Sequence, residues 1–153
     1  MKPLHPFVAG AGPVLWLCTA VAAAQQPPVP EDARQLVTMP AISQAVLREE
    51  MIDNLGALHE IIALLPQNKF KEAADIAEQR LGRSSMGKHA ARTRGQGPGR
   101  FMPEAMRNIG LTMHDAASEF ANIALSGDQA KAYAALQQVT ANCVACHAAY
   151  RTR

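Results

Sequence analysis

Cys143-Val144-Ala145-Cys146-His147 places two thiols three residues apart with an imidazole directly after the second, the spacing at which c-type haem is attached. On a helix, positions i, i+3 and i+4 share one face. Both sulfurs then reach the haem vinyl groups while His147 ligates the iron. Zinc would need further ligands, and the chain has no second cysteine pair. A redox pair of the thioredoxin type has the same cysteine spacing but opens a helix after a strand, and nothing in this sequence reads as a strand. Six residues follow His147, none a strong iron ligand, so a sixth ligand is expected upstream.

The N-terminus suits the compartment that this chemistry needs. Lys2 precedes an apolar run from Phe7 to Ala24 that closes on Ala22-Ala23-Ala24 before Gln25-Gln26-Pro27-Pro28. These are the three regions of a secretory signal peptide, residues 1–24, with cleavage after Ala24. Gly10, Gly12 and Pro13 interrupt a stretch already short for a membrane span, so no stable membrane anchor is expected. Leu17 is too bulky for the position before a lipid-modified Cys18. Cleavage also removes Cys18, which leaves both remaining cysteines to the haem motif. The mature chain of 129 residues, 153 less 24, is the size of one domain. It carries 14 basic residues, after loss of Lys2, against 13 acidic ones, a balance that argues against nucleic-acid binding. The basic residues cluster locally: Arg80, Arg83, Lys88, Arg92, Arg94 and Arg100 follow one another with no acidic residue between them. Such a run is either a solvated face or a surface that steers an acidic redox partner.

Periodicity and punctuation give four helices. Residues 25–40 are Pro-rich at the start and read as a mobile leader, and residues 41–153 as the folded domain. Leu47, Met51, Leu55, Leu58, Ile62 and Leu65 step by three and four between Pro40 and Pro66. A second helix runs from Lys69 to Leu81 with Asn68 as its cap, Phe70, Ala74, Ala77 and Leu81 inward and Gly82 as its stop. Gly82 to Arg100 is assigned to loop. The third helix starts at Pro103 and carries Met106, Ile109, Met113, Ala116, Phe120 and Ile123 inward until Gly127. The fourth opens on Asp128 and turns Tyr133, Leu136, Val139, Cys143 and His147 to the core. The fold class is all-α, an up-down-up-down four-helix bundle.

A haem motif on the last of four helices, trailed by Ala148-Ala149-Tyr150-Arg151, resembles the class II c-type cytochromes, the cytochrome c′ group and its low-spin six-coordinate relatives. The resemblance spans essentially the whole mature chain. It implies a periplasmic monohaem protein, often a homodimer, with haem near the C-terminal end of the fourth helix. In this family the first helix supplies the residue facing the open side of the iron, a bulky apolar one in five-coordinate members and methionine in six-coordinate ones. Met51 matches that position. An antiparallel arrangement supports it: His147 lies about 6 Å from its helix end and Met51 about 15 Å into its own helix, an offset that a haem spans. By stripe position alone Met51 is core packing. Met113 and Met106 are rival ligands on the third helix. His114 is one step off that stripe, His59 is too far along the first helix, Met86 and His89 lie in the loop, and Met39 precedes the helix.

Arg48, three residues before Met51, is a candidate for a haem propionate, the role that the resemblance gives to an arginine in this neighbourhood, or else part of a solvated face. Arg151 either binds a propionate or complements the helix C-terminus. The expected function is single-electron transfer through covalently attached haem c, with His147 and Met51 as axial ligands. No acid, base or nucleophile constellation points to an enzyme. Two alternatives stay open: a five-coordinate cytochrome c′ that binds nitric oxide or carbon monoxide, and a peroxidase-like enzyme that would need a distal Arg48 above open iron.

Overall fold

The computed structural model describes residues 29–153. The expected signal peptide and Cys18 lie outside them. The chain divides into two units, Met1–Glu31 and Asp32–Arg153, and all that follows concerns the second.

Helix α1 spans Ala41–Leu64, α2 Phe70–Ile76, α3 Ala90–Thr93, α4 Glu104–Ala124 and α5 Gln129–Ala149, an all-α helical bundle. Pro40 stands at the N-cap of α1, whose far end passes through a 3-10 turn, Leu65–Gln67. Asn68 is not the cap of α2. It adopts φ 57° as the left-handed stop of that turn, and Lys69 takes the N-cap position. Five residues of π-helix, Ala77–Leu81, extend α2. Asp128 caps α5 as expected, accepting a hydrogen bond from the Lys131 N–H at 3.0 Å.

The core is built largely from alanine. Ala73, Ala74, Ala77, Ala117, Ala121 and Ala124 surround Ile61, Leu65, Phe120, Leu136 and Val139. Small side chains let the helix axes approach, and the few large ones fill the space between them. The face that α1 buries is rotated from the stripe read in the sequence. Val46, Leu47, Ala57 and Ile61 are inside, as is Leu65 just beyond the helix, whereas Met51, Leu55 and Ile62 of the expected stripe are exposed. Ala57 carries little apolar weight in a periodicity count, yet it is where α1 packs closely. Tyr133, expected inward on α5, is also exposed, and Ala132 takes its place.

Two further segments differ from the sequence reading. The stretch from Gly82 to Arg100 is not featureless loop: it holds 3-10 turns at Arg83–Ser85 and Pro98–Arg100 around α3. Residues from Asp32 onward are not a loose leader. Strand β1, Gln35–Leu36, pairs in parallel with β2, Tyr150–Arg151, and Val37 beside it is buried.

Candidate haem site

His147 is two residues from the end of α5, and its carbonyl accepts a 3.4 Å hydrogen bond from Arg34 Nη1. The β1–β2 pair therefore ties the haem-motif end of α5 to the chain entering α1. Gln44 on α1 adds a 2.5 Å bond from Nε2 to the Thr152 carbonyl. Cys143 and Cys146 are both half-buried and unpaired. Burial pushes both thiols above their ordinary pKa, and Cys143 beside Cys146 pushes the latter further. A nucleophilic redox pair needs the opposite, a helix N-terminus or a cation that stabilises thiolate. These are neutral thiols near a helix C-terminus.

Cys146 and His147 open onto a cavity of about 860 Å³ lined by α1, α4, α5 and the segment from Ser85 to Met102. That volume lies within the range of cofactor pockets. Cys143 lies beside it, against the core. Met51 borders the same cavity and is 37% exposed, facing this space rather than the core. The helix register sets its height. Ile62 of α1 sits across from Tyr133, Leu136 and Thr140 of α5. Met51 is eleven residues back from Ile62, and His147 eleven residues on from Leu136. Both steps amount to about 16 Å along antiparallel helices, so the register puts Met51 and His147 at about the same height.

The rivals are placed differently. Met113 and Met106 also border the cavity but are buried, at 8% and 5% exposure. His114 lines the cavity with Nδ1 held 2.6 Å from the Leu81 carbonyl at the end of the π-helical turn. A carbonyl only accepts, so Nδ1 carries the proton. Met86 and His89 do reach the cavity wall, because the segment carrying them is ordered. Met39 and His59 do not line it.

That order comes from ion pairs that the sequence reading missed. Asp53 of α1 binds Arg80 at 2.7 Å and Lys88 at 2.9 Å, and these bonds hold its carboxyl below the usual range. Arg80 also reaches Glu60 at 2.8 Å, and Arg92 reaches Glu49 at 2.7 Å. Ser43, buried on α1, donates to the Gln96 carbonyl at 2.6 Å. The basic run is thus laid along an acidic row of α1 and covers one side of the cavity. Its signal in the sequence was the matching row Glu49, Asp53 and Glu60 on one helix.

The cavity wall is strongly basic. Arg34, Arg80, Lys88 and Arg151 line it, and each has a carboxylate partner. Arg48, Arg100, Arg107 and Arg153 also line it and have no carboxylate within 4.0 Å among the described residues. Glu50 is the one acidic residue in the lining. Of the two arginines singled out in the sequence, Arg48 is exposed at the cavity without a carboxylate partner. Arg151 is engaged with Asp32 at 3.6 Å and with the Arg34 carbonyl at 3.3 Å. A half-open space with a basic wall, two neutral thiols and an imidazole fits haem, a flat apolar group with two carboxylates.

Residues 102–151, which hold α4, α5 and the motif, match the family model of cytochrome c′. No curated protein and no solved structure matches the chain. With the motif inside the matched segment, about a third of the chain, and a helical bundle around it, the match supports a class II c-type cytochrome with a haem c cofactor.

Proposed function

We propose that this cytochrome is a periplasmic single-electron carrier whose one haem is bonded covalently to Cys143 and Cys146, with His147 and Met51 as the iron's axial ligands. What supports the reading is that Met51 and His147 line one cavity, at about the same height by helix register. Bound haem supplies the Fe(III)/Fe(II) couple, and a thioether partner to histidine favours the reduced state and raises the potential. The chain's own residues fix the surroundings. The strap at β1 and β2 holds the His147 end of α5, and Arg48 is free to meet a propionate. The segment along α1 excludes water from one side, which strengthens electrostatic contacts inside the cavity. Ligands carried on packed helices move little between oxidation states, which suits electron transfer rather than catalysis. The signal peptide read in residues 1–24 supports the periplasm, where haem of this type is attached.

Acidified organic solvent should leave the haem on the polypeptide. The oxidised protein should be low-spin with weak red-edge absorption from sulfur-to-iron charge transfer, and the reduced protein should take up carbon monoxide slowly. Extraction of the haem overturns covalent attachment. A high-spin spectrum with rapid carbon monoxide binding makes the protein a five-coordinate gas binder instead.

A further inference from the structure

We infer that the rim of the haem cavity, built from Arg48, Arg100 and Arg107, is the docking surface for a redox partner that presents a cluster of carboxylates. The inference rests on the electron-carrier reading and names the partner's chemistry. The three arginines come from α1, from the covering segment and from the first turn of α4, and all three are exposed. They therefore converge on the cavity from separate elements, unlike a charge run along one solvated face.

Of the basic run of the sequence, only Arg100 belongs to this surface. Arg80, Arg83, Lys88 and Arg92 already bind Asp53, Glu60, Asp115 and Glu49, so little of their charge is left for a partner. At the rim the balance is different. Glu50 and the paired Asp32, Asp53 and Glu60 are the carboxylates at or behind the cavity wall, against eight cations. Two haem propionates still leave the cations in excess. The haem-bearing helix offers nothing to offset them, since Ala132 to Tyr150 contains no Asp or Glu. Like-signed charge around a low-dielectric cleft raises association rates about 10- to 1000-fold for an oppositely charged partner, and salt removes the effect. Here the charge surrounds the cofactor, so an acidic partner is guided to the place where an electron crosses the shortest gap.

The test uses reduced holoprotein oxidised by hexacyanoferrate(III) in stopped flow at low ionic strength, with poly-L-glutamate as an acidic polypeptide competing for the rim. The polymer should slow oxidation of the parent at least several-fold, and 0.5 M salt should abolish the slowing. The double variant Arg100→Gln, Arg107→Gln should lose most of that slowing while its optical spectrum stays that of the parent. Three results would overturn the proposal: no slowing of the parent, equal slowing of parent and variant, or the same slowing by free glutamate at equal carboxylate concentration and ionic strength. The last assigns the rim to small anions. A high-spin spectrum would remove the carrier reading by a separate measurement, so the two failures are distinguishable.

Discussion

The two ends of the bundle are held together by different physics. Where α1 passes into α2 and α4 into α5, Ile61, Leu65, Phe120 and Ala124 are wholly inaccessible, with Ala73 and Ala132 packed beside them. At the haem end the inward space is a cavity, and the elements around it are tied by ion pairs, carbonyl contacts and one two-residue ribbon. Apolar burial stabilises at about 25 cal/mol per Å² without regard to salt or pH. Exposed ion pairs are worth about 0–1 kcal/mol each and are screened. The distal end fixes the fold, and the haem end is left adjustable for a cofactor to complete.

That contrast fails if the distal core is not the stronger half. Phe120→Ala should cost about 3–5 kcal/mol in urea unfolding, because a fully buried ring is replaced by a cavity between close-packed helices. The loss should be the same in 0.5 M salt as in dilute buffer. At the haem end Asp53→Asn should cost at most about 1 kcal/mol, since Asp53 and its partners are partly exposed. Its larger effect should be local: amide exchange should quicken from Ser85 to Gln96, and high salt should reproduce that effect in the parent.

A smaller change should follow acidification of the strap. The Arg34 guanidinium and backbone N–H bonded to Asp32 hold its carboxyl down to about 2, against an ordinary 3.8. A carboxylate whose pKa is depressed in the fold contributes its stabilisation above pH 3.8 and loses it as pH falls through about 2. The Val37 N–H, which donates to the Arg151 carbonyl at 2.8 Å, should therefore keep its protection factor at pH 4 and lose part of it at pH 2. Equal protection factors at both values would detach the strap from this ion pair.

What the sequence disclosed divides along the same line. The haem motif was legible because its chemistry is local, two thiols and an imidazole within five residues. The helices were legible where punctuation is strong, at Pro40, Pro66, Gly82 and Asp128. The buried face of α1 was misread because Ala57 packs more closely than Leu55 while scoring as less apolar. The order of the segment from Gly82 to Arg100 was invisible to periodicity, since it arises from partners about 30 to 50 residues away in the chain, Asp53 for Lys88 and Ser43 for Gln96. The pairing of β1 with β2 joins residues more than a hundred positions apart and has no signal in a two-residue strand. Met51 was proposed from the family resemblance, and its height relative to His147 follows from the placement of Ile62 beside α5.

Met51→Leu tests the central claim most directly, because it removes the sulfur while nearly conserving volume, so packing should cost under about 1.5 kcal/mol. If Met51 ligates the iron, the oxidised variant should become high-spin, lose the red-edge sulfur band, bind carbon monoxide readily when reduced and show a lower reduction potential than the parent. A Met51→Leu protein that keeps the parent's low-spin spectrum and potential would contradict the account and move the sixth ligand elsewhere on the cavity wall, with Met113 the first to test.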